Sequence, residues 1–387
     1  MKKSTKSVIL IFVFLSLPFL TIYFTGIELT FSYCNYTNSS YVAKGIDPYQ
    51  YPQDIFVTDN YAFIAHGYRG LLIYNTTAPE KRILIGNYSD GGRVRCVWIN
   101  DNYAYLADRD DGLKILDITN KSNILKIGCY NNSLLNNFIS DFYLLDNLVF
   151  LVDYYNGLQI INVSNPTSPT KISELYVSSS SRRLFVYNNL VFLSCGSDGL
   201  RIINITNPYL PTEISQYYID GRIFSVSVTN NYVFAVNYDF GLEILDIGNI
   251  TQPELLTTFP INGNTTGILL VNDTAFCSTS LSGLQIFNIN NPISPQGLSQ
   301  IAVNPQSITV EKNYLYIIPS YGVTEGDFKF RIFDITNIEN PEEIIWEGFN
   351  NNPIIWVTFG VISSSLLVAF VFIIVNIIIK KKIRRNL

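Results

Sequence analysis

The chain has 387 residues, of which 48% are hydrophobic and 15% charged, and a net charge of -5. An acidic balance argues against nucleic acid as a partner. A single histidine excludes a metal centre built from several imidazoles, and five cysteines form no even-numbered disulfide framework.

At the start of the chain, Lys2, Lys3 and Lys6 precede an apolar run from Val8 to about Phe24. A basic flank followed by an apolar core reads as an export signal over residues 1–26. Its length and the lack of a clean small-x-small site leave both a cleaved peptide and a retained anchor open. Residues 27–50 form an N-terminal segment. Within it, Ser40–Gly45 resembles the end of an outer strand and is a candidate for closing a ring.

Residues 51–350 are organised around one recurring stretch, clearest as Gly241-Leu242-Glu243-Ile244-Leu245-Asp246. Gly70, Gly112, Gly157, Gly199, Gly241 and Gly283 each open a copy, at separations of 42, 45, 42, 42 and 42 residues. A worn seventh copy is Phe330–Asp334, without the glycine. A fixed period in this range marks a repeat array.

Each unit carries four strand patterns. In the fifth, Phe224–Val228 alternates apolar and polar residues, and Tyr232–Val236 is almost continuously apolar. The glycine motif is the third strand, and Glu254–Phe259 the fourth. The first two strands are joined by Asp59-Asn60, Asp101-Asn102, Asp146-Asn147, Asn188-Asn189, Asn230-Asn231, Asn272-Asp273 and Lys312-Asn313. Asn and Asp tolerate the positive φ of two-residue hairpin turns. The third strand ends in Asp or Asn, best read as a brace for the following turn; a row of catalytic carboxylates is the rival, but Asn replaces Asp too freely for acid–base chemistry. Four antiparallel strands at this period make a propeller blade. The expected fold is therefore all-β, a seven-bladed β-propeller of four-stranded antiparallel blades. Extra residues at Asn131–Asn137 and a long turn at Ser320–Asp327 interrupt blades three and seven. A last outer strand is expected at Glu342–Gly348.

Past the array, residues 354–379 hold no charge, and Lys380-Lys381-Lys382-Ile383-Arg384-Arg385 follows. A run of this length is expected to span a membrane as a helix, with residues 380–387 as a basic cytoplasmic tail. Sequons begin at Asn35, Asn38, Asn75, Asn87, Asn120, Asn131, Asn162, Asn204, Asn249, Asn264 and Asn272. They fit an exported, glycosylated surface. Cys34, Cys96, Cys129, Cys195 and Cys277 read as small packing residues.

The units resemble LVIVD repeats, a family of propeller repeats on bacterial and archaeal surface proteins. The likeness is carried by Tyr103–Asp108 with Gly112–Ile118, and by Gly199–Pro208. It implies a propeller outside the cell and brings no catalytic residues.

In a propeller, the second-to-third turns and the links into each first strand share one face. Arg93, Arg95, Arg182, Arg183 and Arg222 lie in those links. Arg93 and Arg222 share one repeat position, and Arg95 and Arg182 another. They are candidates for binding carboxylate or phosphate groups of a partner; the competing reading pairs them with Asp90, Asp220 and similar neighbours. Tyr68, Tyr154, Tyr155 and Tyr238 sit in the turns of the same face and suit protein or sugar contact. Asp108, Asp110 and Asp111 are weak candidates for a hard cation, against a solvated acidic turn. No cofactor is called for. The reading is a membrane-anchored, extracellular binding or adhesion module for a protein or glycan. A structural envelope component and a glycan-active hydrolase are the alternatives.

Overall fold

The computed structural model describes residues 21–25, 28–32, 51–109, 111–131, 139–153, 157–177, 180–320 and 330–346. The chain divides into two compact units: residues 36–347, and residues 1–35 together with 348–387. In the second unit, Thr21–Thr25 pairs antiparallel with Glu28–Ser32. The end of the N-terminal apolar run is therefore strand, and Glu28–Ser32 pairs with it instead of closing a blade. The rest of the expected signal, the candidate closing strand at 40–45 and the expected span at 354–379 lie outside the described residues. Among the described residues no helix is long and apolar enough to cross a membrane.

The larger unit contains seven four-stranded antiparallel sheets. They occupy residues 54–88, 94–130, 139–175, 183–217, 223–259, 265–301 and 305–343. Each is one uninterrupted stretch of chain, and the first strands of successive blades adjoin one another around a common axis. This is a seven-bladed propeller. Blade five has strands Ile223–Thr229, Tyr232–Asn237, Gly241–Asp246 and Glu254–Phe259, close to expectation. The final outer strand is shorter than expected, Glu342–Glu343.

The turn chemistry explains the repetition. The first residue of all seven hairpin turns has positive φ, from Asp59 at 52° to Lys312 at 57°. The residue ending the third strand braces the next turn in all seven blades. Asn75, Asp117, Asn162, Asn204, Asp246, Asn288 and Asp334 each accept a backbone N–H from two residues on, at 2.6–2.9 Å. The opening glycine is required for two reasons. Gly241 has φ +108°, and a Cβ there would lie 2.6 Å from the Phe259 carbonyl oxygen.

One aromatic per blade builds the core. Phe63, Tyr105, Phe150, Phe192, Phe234, Phe276 and Tyr316 each occupy the third residue of a second strand, and all are buried. Each belongs to an apolar cluster shared with the following blade, and the seven clusters fill the seven inter-blade gaps. Burying such a side chain is worth about 1.5–3 kcal/mol, so the gaps hold much of the stability. Small residues let neighbouring blades approach: the fourth residue of the outer strand is Gly86, Gly128, Ser173, Ser215, Thr257 or Ser299 in blades one to six. A Cβ at Gly128 would lie 2.0 Å from the Pro166 carbonyl, and the Ser173, Ser215 and Ser299 hydroxyls donate across the gap at 2.6–2.7 Å.

The ring closes between blades seven and one. The Arg82 guanidinium donates to the carbonyls of Phe330 (2.5 Å) and Ile344 (2.7 Å). Lys312 Nζ donates to Asn60 Oδ1 at 2.8 Å, and Ser307 Oγ to Asp54 Oδ1 at 2.6 Å. Cys96, Cys195 and Cys277 are buried and free, as packing residues should be; Cys129 is also free but exposed.

Candidate functional site

In blades two and five the last residue of the second strand organises the loop above it. In blade two it is Asp108, whose Oδ1 accepts the backbone N–H of Arg93 and of Asp111, both at 3.2 Å. In blade five it is Asn237, whose Oδ1 accepts those of Arg222 (3.3 Å) and Asp239 (3.0 Å). Two blades thus use one scaffold to hold different loops. In blade one the same repeat position, one residue past the strand Tyr61–Ala65, belongs to His66, which is buried; desolvation pushes its pKa down to about 4.

In the acidic loop of blade two Asp111 stays partly exposed while Asp108 is fully buried. Lys114, the third residue of the glycine motif, is fully buried and points into it. Its Nζ lies 2.6 Å from Asp90, 3.0 Å from Asp108 and 2.9 Å from Asp111. The chain's own ammonium occupies the place that a cation would take among these carboxylates. Burial alone would lower the Lys114 pKa, but the three carboxylates raise it well above the usual range. Burial likewise acts to raise Asp90, and hydrogen bonds from Lys114 and Tyr88 outweigh it, bringing it down to about 2. Asp110 lies outside the described residues. Among the described residues, no group of three or more His, Cys, Asp or Glu side chains is placed to hold a metal ion.

The arginines separate into two groups. Arg182 and Arg222 come together at the join of blades four and five. The Arg182 guanidinium carbon lies 4.3 Å from the centre of the Phe224 ring. Phe224 and Tyr238 have ring centres 4.6 Å apart, and Arg222 lies 4.4 Å from the Tyr238 centre. The result is a stack of Arg182, Phe224, Tyr238 and Arg222 on the loop face. A guanidinium over an aromatic face gains cation–π energy while its N–H edges remain able to donate. Arg222 also pairs in two-pronged fashion with Asp239, at 3.0 and 2.7 Å. That pairing holds Asp239 below the usual carboxylate range. The expected partner Asp220 offers only its carbonyl, to Asn237. Asp90 is taken by Lys114 and Lys126, not by an arginine. Arg93 and Arg95 sit in blade two, outside the stack. Exposed Arg183 begins the inner strand of blade four. Tyr68 is exposed in the loop of blade one, while Tyr154 and Tyr155 lie outside the described residues.

Exposed aromatics flank the stack. Tyr176 is 68% exposed, Tyr218 73% and Phe240 52%, all in loops of the same face.

Inside the axial channel, Arg183 joins residues that the sequence reading did not place at a site. Five positions before the hairpin turn, blades one to four carry Asp54, Cys96, Asp141 and Arg183. Asp54 Oδ2 accepts the Val97 N–H at 3.0 Å, and Asp141 Oδ2 the Leu184 N–H at 3.2 Å, so each carboxylate ties its inner strand to the next. Desolvation raises both; Asp141 reaches about 6 even though Arg183 opposes the shift. Two residues further along lie Phe56, Trp98, Tyr143 and Phe185, with successive ring centres 5.3, 4.8 and 6.1 Å apart. Counting back from the turns in every repeat would have found both rows.

Fold and loops together define a β-propeller whose blades share one scaffold and differ in the turns they present, the arrangement of a binding or scaffold module. Four of its blades match the model of the LVIVD repeat, over residues 51–90, 91–132, 140–175 and 220–259, which are blades one, two, three and five. No curated protein sequence matches the chain. A functionally unknown protein from Desulfotomaculum acetoxidans is similar in structure, with a TM-score of 0.60 and 15% identity over 74% of this chain and 100% of that one. The computationally designed Ika8 protein has a TM-score of 0.57 and 12% identity over 75% of this chain and 85% of its own. U3-55K has a TM-score of 0.58 and 12% identity over 73% of this chain and 94% of its own. At these identities the likeness is one of fold.

Proposed function

We propose that the chain is a membrane-anchored extracellular propeller that binds a protein or glycan partner through its loop face. The Arg182–Phe224–Tyr238–Arg222 stack, flanked by exposed Tyr176, Tyr218 and Phe240, carries this reading. Stacked arginines are held in place before a ligand arrives, which lowers the ordering cost of binding. Exposed aromatics supply broad contact area with few rotatable bonds. The module acts by binding, and the variable turns choose the partner. Placement outside the cell rests on the basic-then-apolar start, the uncharged run at 354–379 and the basic residues after it.

The test is capture of envelope glycans and surface proteins by the full chain, compared with an Arg182→Glu/Arg222→Glu variant. Charge reversal at both ends of the stack is expected to abolish capture without lowering the melting temperature by more than a few degrees. If the variant retained every ligand equally well, the loop-face reading would be wrong.

A further inference from the structure

The sequons are not spread evenly over the propeller. Asn75, Asn162 and Asn204 end third strands, Asn120 and Asn249 lie in third-to-fourth turns, and Asn272 opens a hairpin turn. All six therefore fall on the face opposite the aromatic–arginine stack. The cause is the repeat itself: the Asn that braces a turn, followed two residues later by Ser or Thr, is also a sequon. Asn87, Asn131 and Asn264 lie toward the loop face.

Asn120 and Asn249 differ from Asn87 and Asn264 in what the sequon hydroxyl does. Asn120 and Asn249 are exposed, and each Oδ1 accepts both the N–H and the hydroxyl of the residue two positions on. The Ser122 Oγ and Thr251 Oγ1 distances are both 2.8 Å. The amide and hydroxyl are thus presented together at the tip of an open turn, with Nδ2 facing away from the bond. At Asn87 the hydroxyl of Ser89 is instead committed to the Tyr68 carbonyl at 2.9 Å. At Asn264 the Thr266 hydroxyl is turned to the Ser278 carbonyl at 3.3 Å, inside the blade. N-linked transfer reads an exposed Asn-X-Ser/Thr turn, and among the sequons whose residues are described only Asn120 and Asn249 show both groups side by side.

We propose that the face of the third-to-fourth turns is the glycan-bearing side of this propeller, with Asn120 and Asn249 as its principal N-linked acceptors. The donor is a saccharide carried on a lipid phosphate. The Asn Nδ2 forms a bond to sugar C1, the bond from C1 to the phosphate oxygen breaks, the electron pair leaves with the lipid phosphate, and the amide proton passes to a base of the transferase. The glycans then cover one face and leave the stack on the other open. This rests on the extracellular placement proposed above.

Full-length chain purified from its own cells is digested, and its glycopeptides are mapped by mass spectrometry. Saccharide mass is expected on Asn120 and Asn249, at occupancy well above Asn87 and Asn264. Ser122→Ala and Thr251→Ala remove the hydroxyl but keep the bracing N–H bond, and each is expected to lose the saccharide at its own site while melting unchanged. Unmodified Asn120 and Asn249, or equal occupancy at Asn87 and Asn264, would overturn the proposal. Protease shaving of intact cells separates the two readings: a shaved but unglycosylated chain sinks only the glycan inference, and a protected chain sinks the placement as well.

Discussion

Replacing Lys114 with methionine tests whether the cluster under blade two is held together by its charge. The side chain keeps its length and apolar stem but loses the ammonium that three carboxylates surround. Asp108 is fully buried and loses the ammonium that lies 3.0 Å from its carboxylate. Breaking a buried pair from one side costs about 3–5 kcal/mol. The expected loss for Lys114→Met is therefore about 3–5 kcal/mol at neutral pH, measured by urea unfolding followed through tryptophan fluorescence. Its pH dependence has a defined sign. Asp90 is depressed, so its contribution is present above 3.8 and fades as the pH falls through about 2. Lys114 is raised, so its contribution is present below 10.5 and fades only in strong alkali. The gap between wild type and variant should be widest between these limits and shrink in acid. Adding Asp108→Asn should restore part of the loss, because blade five already uses Asn237 at that position. A gap under about 1 kcal/mol, the worth of an exposed pair, or one unchanged down to pH 2, would refute the argument.

Two further outcomes follow from buried groups. His66 is held neutral by burial, with its pKa lowered from 6.5 to about 4, so the unfolded chain binds more protons between these values. Stability should fall by about 3 kcal/mol as the pH drops through that window, and His66→Gln should flatten this part of a melting-temperature profile. Arg82→Ala removes the donors that reach Phe330 and Ile344 across the ring closure; it should cost about 3 kcal/mol, with hydrogen exchange at 330–334 accelerating before that of any other blade.

The architecture was legible because the repeat is written in turn residues. Asp59, Asp101 and their five counterparts announce hairpins by tolerating positive φ, and Asp117 or Asn204 announce a braced turn; both roles are local, so neither depends on distant chain. Lys114 was not legible in the same way. It lies within a motif whose other members set strand register, and its partners Asp90 and Asp108 come from two separate loops. The pairing of Arg222 was misplaced for a related reason: Asp220 is nearer in sequence, but Asn237 aims the loop so that Asp239 meets the guanidinium. Asp54 and Asp141 share a repeat position that counting back from the hairpin turns identifies, but their place in the channel follows only once the blades are set around an axis.

Because every blade is a single uninterrupted stretch, six of the seven joins are backed by the polypeptide itself. The seventh, between blades seven and one, is held by Arg82, Lys312, Ser307 and the apolar cluster around Tyr316. Mechanically the ring is a split washer. An opening at that seam would leave all seven sheets intact, so strain on the ring is expected to part it there first.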